Sequence, residues 1–482
     1  MVNAHRVRAL LSVGLLCSGW GITLVHAAAN PVDPAVLGRI RDSAMQDNWS
    51  YAHLEELTDG VGPRLSGSAG LEAAVQQVAA WMRALGATVS LQPTQVPHWV
   101  RGAESASLVG YPGRPPGVVQ SLHVTALGDS GATPAEGIEA PVVVVRSVEE
   151  LSERAADIKG RIVLINKRFD QRLADNGYAS DAYGLAGEAR FVGPMVASKL
   201  GALATLVRSV GNAQYRLPHT GATDWEEGQT PMPAAALSAE DADLVDRLAA
   251  KGPVTLRLTL TPQHLPDADS ANVVADWIGR EHPEEIVVVG GHLDSWDLGT
   301  GAIDDGAGVM ATAGVIRTLS ALGLHPRRTI RFVAFTNEEN GGRGGRAYFD
   351  AVSKSSGRQV AAIECDMGAG RALGVQAAVA PAAMETLKAV SRALEPIGAS
   401  LMVRREGGVG ADIRALQKNG VPGFAPVLDT RHYFDYHHTA ADTFDKVNPE
   451  NLRSEVATLA VLAYFLADLP EPVLGLPVKS EE

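Results

Sequence analysis

Gly290-Gly-His-Leu-Asp-Ser-Trp-Asp-Leu-Gly-Thr-Gly-Ala-Ile-Asp-Asp-Gly-Ala-Gly308 decides how this chain is read. The stretch begins where an apolar run, Ile286, Val287, Val288 and Val289, stops. It ends where a run of small residues starts. The first run reads as a buried strand and the second as a helix. Between them stand one imidazole, His292, and four carboxylates, Asp294, Asp297, Asp304 and Asp305, spaced by glycines. A second acidic cluster, Asn337-Glu338-Glu339-Asn340, follows another apolar run, Ile330 to Phe335. Imidazole and carboxylates gathered at strand ends point to a divalent cation, with zinc as the first expectation.

Working outward, strands alternate with helices from about residue 266 onward. Asn272 to Ile278, Ile286 to Val289, Ile330 to Phe335 and Ala361 to Cys365 read as strands. Val309 to Leu322 and Met384 to Leu394 read as helices. A last helix starts at Pro449 behind the cap Asn448, with Leu452, Val456, Leu459 and Leu462 toward the core. The alternation predicts an α/β fold, a mostly parallel mixed sheet covered by helices. Upstream, residues 33–100 read as helical and then as a strand from Thr88 to Gln95. Val75, Val78, Met82 and Leu85 share one helical face, which Gly86 closes. The Gly- and Pro-rich passage Gly110 to Gly117 marks a shift in composition. From 118 to 262 the texture is of short strands, at Val142 to Val145, Gly160 to Ile165 and Leu203 to Val207. The alternating Leu256, Leu258 and Leu260 form one more. Val196 to Ala204 reads as a small amphipathic helix. No catalytic cluster stands in this region, and His219 and Asp224 read as isolated surface residues. The expected division is 1–28, 29–117, 118–262, 263–470 and a loose tail, 471–482.

Length and charge narrow the function classes. A chain of 482 residues, 46% of them hydrophobic, predicts two or three domains with substantial cores. A net charge of −13 argues against nucleic-acid partners, which call for a basic footprint. Arg6 and Arg8, the apolar run Leu10 to Val25, and Val25-His26-Ala27 form a secretory signal, residues 1–28. Ser18, Gly19 and Gly21 interrupt that run, which disfavours a permanent anchor. The expectation is therefore a secreted or periplasmic protein with no membrane span after cleavage. Of the two cysteines, Cys17 would leave with the signal, so Cys365 has no partner for an intramolecular disulfide.

The candidate groups follow separate strands. In open α/β sheets, ligands bind beyond the carboxyl ends of the strands, so His292, the Glu338–Glu339 pair and Asp366 are expected to converge there. His438 joins them after an extended stretch and an acidic-aromatic loop. One zinc takes about four ligands. Two metals about 3.5–4 Å apart share a bridging carboxylate and clamp a hydroxide between them. Two histidines and three carboxylates suffice for such a pair, and a further carboxylate must take the proton from water.

In the order of these motifs the chain resembles the M28 family of co-catalytic zinc peptidases, over nearly all of the mature sequence. The resemblance includes Gly62-Pro-Arg-Leu-Ser-Gly-Ser68, and residues 118–262 look like an inserted, β-rich protease-associated domain. It implies two Zn2+ per chain. His292 and Asp366 would serve one metal, Glu339 and His438 the other, and Asp304 would bridge. It also implies that Glu338 is the general base and that Asp294 orients the His292 imidazole. Unusual peptide geometry is implied after Asp304, with Gly306 accommodating the turn. Either of the adjacent His437 and His438 can ligate; the spacing to Thr439 and to Asp442-Thr443 favours His438. His437 then falls where relatives place a hydrogen-bond donor to the oxyanion. The implied activity is hydrolysis of short peptides or dipeptides from the free N-terminus by a metal-bridging hydroxide. Relatives form dimers, which raises the expectation of a homodimer. Two other readings stay open. One is a zinc-dependent glutaminyl cyclase-type acyltransferase, which generally binds one zinc and alters the acidic pair. The other is a receptor-like homologue that has lost its ligands.

Other candidates read more plainly. Cys365 is expected to pack as a small hydrophobe. His325 and His432 read as loop residues, and Arg343 and Arg346 either as helix-start or surface residues or as partners for a substrate carboxylate. Asp412 either lines the pocket or caps a helix from Ile413.

Overall fold

The computed structural model describes residues 32–212 and 215–477. The signal reading of residues 1–28 lies outside the described residues, as do positions 478–482 of the expected tail.

Two eight-stranded sheets organise the chain. In the first, the spatial order is Thr88–Val100, Gln263–Trp277, Arg328–Phe335, His282–His292, Arg358–Glu364, Gly423–Leu428, Ala372–Ala378 and Leu401–Arg404. Its centre is parallel: His282–His292 pairs in parallel with both Arg328–Phe335 and Arg358–Glu364, and the latter with Gly423–Leu428. Antiparallel pairs stand to either side, so the sheet is mixed. Residues 287–292 are buried without alternation, as parallel strands covered on both faces require. One cover is the helix Ala307–Leu322, whose small residues allow close approach to the sheet, and most of it is buried. Another is Pro449–Asp468, capped where the Asn448 side chain accepts the amides of Glu450 and Asn451.

The second sheet takes its strands from residues 104–260, beginning at Glu104–Gly110. The chain thus crosses between sheets at 101–103, upstream of the Gly- and Pro-rich passage that composition singled out. Its core contains Leu256, Leu258 and Leu260, all fully buried. The sheets are tied at the crossing, where the Arg101 guanidinium holds the Asp297 carboxylate with both Nε and Nη2, at 2.7–3.0 Å.

Two strands run longer than expected. Thr88–Val100 and Gln263–Trp277 pair as one antiparallel ribbon, although residues 263–267 are exposed. Their strand state comes from pairing with a distant segment, which periodicity does not record.

Candidate metal centre

His292, Glu338, Glu339 and Asp366 leave the sheet at, or just past, the carboxyl ends of central strands. His292 ends its strand. Glu338 and Glu339 follow the strand that ends at Phe335, and Asp366 follows the one that ends at Glu364. His438 comes after Gly423–Leu428 and the short helix Tyr433–Tyr436. Asp304 lies in the irregular turn Ala302–Gly306 that opens the helix Ala307–Leu322. The Asp304–Asp305 peptide is cis, at the point where unusual geometry was expected.

Buried polar contacts hold this turn. The Arg64 guanidinium donates to the carbonyls of Leu293, Thr300 and Gly301 at 2.7, 2.6 and 2.9 Å. Asp442 Oδ1 accepts the amides of Ala302 and Ile303 at 2.8 and 2.7 Å. Asp305 accepts the His292 amide at 3.1 Å. A Cβ at Gly291 or Gly308 would collide with that Asp305 carboxylate. The glycines around the opening stretch are therefore a packing requirement.

Asp304 divides its two oxygens between two groups. Oδ1 lies 3.3 Å from His292 Nε2. Oδ2 lies 3.2 Å from His438 Nε2 and 3.4 Å from His437 Nε2. Asp366 Oδ1 is 3.5 Å from His292 Nε2, and Glu339 Oε2 is 3.0 Å from His438 Nε2. His438, not His437, therefore meets Glu339. The five expected ligands come together as two donor groups that share Asp304.

This donor set fits divalent cations. Asp304 Oδ2 and Glu339 Oε1 are buried without a hydrogen-bond partner. His292 Nδ1 is 2.9 Å from the Asp294 carbonyl and His438 Nδ1 is 3.2 Å from the Thr220 carbonyl. Such tethers place the proton on Nδ1 and turn the Nε2 lone pair toward the cluster. Burial opposes charging His292, but Asp304 and Asp366 outweigh it and raise its pKa well above the ordinary value. Burial pushes Asp366 and Glu339 upward. A cation among them would reverse these directions, favouring ionised carboxylates and neutral imidazoles.

The Asp294 carboxylate departs from its expected place. Its Oδ1 is 3.8 Å from His292 Nδ1, beyond hydrogen-bond reach, and the backbone carbonyl makes that contact instead. The carboxylate accepts the amides of Glu338 and Glu339 at 3.0 and 3.2 Å. It thus positions both glutamates at once. Burial drives the Glu338 carboxyl well above its usual range; His292 opposes this, and Asp366 and Glu339 add to it. His437 stacks on His438, ring centroids 3.5 Å apart, with Nδ1 buried and unpartnered. Burial holds its pKa well below the ordinary value, and the charge of His438 adds to this.

A cavity of about 410 Å³ opens over the cluster, and Glu338, His437, Tyr183, Arg190 and Tyr433 are among its lining residues. Tyr183 and Arg190 were not anticipated. They lie on the helix Ala179–Phe191, whose apolar residues follow no clear helical period.

His219 corrects the sequence reading. It is 1% exposed, not a surface residue, and burial pushes its pKa down to about 3. Its loop is drawn in because the Thr220 amide donates to the His438 carbonyl at 2.9 Å. Asp224 is exposed at the cavity rim. Asp412 is buried with both oxygens unpartnered and makes no helix cap. Glu364 accepts the amides of Ala411 and Ile413 in its place, at 2.6 and 2.9 Å. Cys365 is buried, and its thiol donates to Glu455 Oε1 at 2.7 Å. His432 is exposed, and Arg343 pairs with Asp267 at 2.5 Å.

Sequence and structure comparisons agree with this geometry. The sequence profile of Peptidase family M28 matches residues 272–463. The chain is 36% identical over 426 residues to Carboxypeptidase Q of Bos taurus, across 88% of this chain and 86% of that one. Carboxypeptidase Q of Homo sapiens matches at the same identity and coverage. The crystal structure of a Peptidase M28 precursor from Shewanella amazonensis superposes with a TM-score of 0.86 at 34% identity, covering 94% of this chain and 100% of that one. BSAP, a zinc aminopeptidase from Bacillus subtilis, shares the fold with a TM-score of 0.60 at 22% identity, over 86% of this chain and 93% of that one. A whole-length likeness of this order, over a sheet edge that gathers these carboxylates and imidazoles, shows that the chain belongs to peptidase family M28 and is a metallopeptidase.

Proposed function

We propose that the protein is an exported di-zinc exopeptidase, secreted or periplasmic, that hydrolyses short peptides or dipeptides from their free N-terminus. The observation that carries this reading is the division of Asp304, one oxygen toward His292 and the other toward His438. His292, Asp304 and Asp366 would hold one zinc, and Asp304, Glu339 and His438 the other. Bound there, the metals would supply Lewis acidity toward the scissile carbonyl and the attacking water.

The remaining work falls to the chain's own residues. Glu338, held over the cavity by its amide contact with Asp294, takes the proton from water and delivers it to the leaving amine. A carboxyl whose pKa burial has raised is suited to both halves of that transfer. His437 faces the cavity beside Asp304, from which it donates to the developing oxyanion. Glu338→Gln tests the assignment. Its kcat should fall roughly 10²–10⁴-fold, while atomic emission still counts two zinc per chain. Unchanged turnover, or loss of metal, would remove Glu338 from the role of base. A count of one metal in the wild type would instead favour the cyclase-type chemistry.

A further inference from the structure

The two histidine ligands are held in different ways. His292 is tethered inside its own loop, where its Nδ1 meets the Asp294 carbonyl at 2.9 Å. His438 is tethered from the other sheet. Its Nδ1 lies 3.2 Å from the Thr220 carbonyl, 218 positions away. Thr220 stands in the connection between the second-sheet strands Ala204–Arg208 and Ala234–Leu237. The contact is returned, because the Thr220 amide donates to the His438 carbonyl at 2.9 Å. One fully buried residue thus grips both the ring and the main chain of the ligand. His438 needs such a grip. Its backbone has φ +61°, a region that residues with a Cβ seldom enter. A conformation of that kind persists where the surroundings over-determine it.

Thr220 is in turn fixed to its own sheet. Its Oγ1 donates to the Ala126 carbonyl at 2.9 Å and accepts from Arg101 Nη2 at 3.2 Å. The same Arg101 holds Asp297 where the chain crosses between the sheets. Earlier in the connection, the Asn212 amide donates to the Phe434 carbonyl at 2.9 Å, and its side-chain amide donates to the Asp435 carboxylate. The loop that delivers His438 is therefore tied to the second sheet at both Asn212 and Thr220. The Trp296 ring packs against His438, centroids 5.8 Å apart. A Cβ at Gly128, whose amide donates to the Gly221 carbonyl at 2.9 Å, would fall on that indole. The second sheet thus closes around His438, whereas the tether of His292 stays within a loop of the first.

We propose that Thr220 is a positioning residue for the metal of Glu339 and His438, so that the affinity of this site depends on how the two sheets dock, while that of the His292–Asp366 site does not. A carbonyl that receives the Nδ1 proton fixes the tautomer and the direction of the Nε2 lone pair, and loss of such support lowers metal affinity. The inference rests on the two-metal reading, and it adds to that reading an inequality between the metals.

The test measures zinc affinity site by site, by competition with a chelator of known strength. Wild type should release two zinc in two steps, and Glu339→Gln marks the step that belongs to the Glu339–His438 site. Thr220→Val keeps the bulk of the side chain and removes the hydroxyl that anchors it. It should weaken the marked step about 10-fold and leave the other step where it was. Thr220→Ser, which keeps the hydroxyl, should restore wild-type release. Asn212→Ala loosens the same connection with Thr220 intact, so it should act in the same direction even where Thr220→Val fails to fold. Urea unfolding of the metal-free proteins shows whether a variant loosens the fold as a whole. Equal weakening of both steps, no weakening of either, or a failure of Thr220→Ser to rescue overturns the proposal. A single zinc in the wild type would instead sink the two-metal reading, a result that no Thr220 variant can produce.

Discussion

Asp304 and Asp294 share the loop between the strand His282–His292 and the helix Ala307–Leu322, yet they differ in role. Asp304 faces both imidazoles, so Asp304→Asn removes charge from both donor groups. The expected result is a chain that retains fewer than two zinc after dialysis; retention of two would show that Asp304 is not shared. Asp294 instead holds the amides of Glu338 and Glu339. Asp294→Asn should therefore keep both metals while kcat drops roughly 10–100-fold, the usual effect of losing such a supporting contact. A fall in metal content equal to the fall in rate would return Asp294 to the imidazole-orienting role that the family resemblance implied. His292, Glu339 and Asp366 were legible in sequence because each follows an apolar strand. His219 and Arg190 were not, since each stands alone in the chain and acquires its neighbours only when distant loops pack over the sheet edge.

Helices and strands were legible where local chemistry settles them. Asn448 and Pro449 start the final helix as read, and the cap accepts two amides. Asn448→Ala should cost about 1 kcal/mol, visible as a lower urea midpoint with an unchanged slope. No change would mean that burial of the helix alone fixes its start. The ribbon of Thr88–Val100 with Gln263–Trp277 was only half legible. Its outer residues lack the apolar alternation that marks a strand, and their order depends on a partner more than 150 positions away. The helix Ala179–Phe191 is a similar case. It carries small residues with no clear apolar stripe, and its contacts with the cavity, not its periodicity, account for its place.

Across the whole molecule, the acidic groups buried around the centre make stability depend on pH. Glu455, in the final helix, is buried against the Cys365 thiol, and burial raises its pKa from 4.5 to about 8. The folded state therefore holds this proton more tightly than the unfolded chain does. The resulting stability is complete below the ordinary glutamate pKa and is lost as pH rises toward 8. Glu455→Gln carries no such proton. Between pH 5 and pH 9 the wild-type urea midpoint should fall further than that of the variant. Parallel curves would show that Glu455 does not titrate on unfolding.

By itself, the sequence determined the element order, the burial of the central strands and the chemical types gathered at their ends. These follow from local patterns: apolar runs, glycines where backbone or carboxylate must approach closely, and a cap before proline. Tertiary structure alone decided which oxygen of Asp304 faces which imidazole, that the Asp294 carboxylate grips amides and not a ring, and that His438 meets Glu339. It also decided that His219 is buried and that Arg190 lines the cavity. The physical reason is that such pairings span tens to hundreds of residues, and their geometry is fixed by sheet register and loop packing, for which no local pattern in the chain carries a signal.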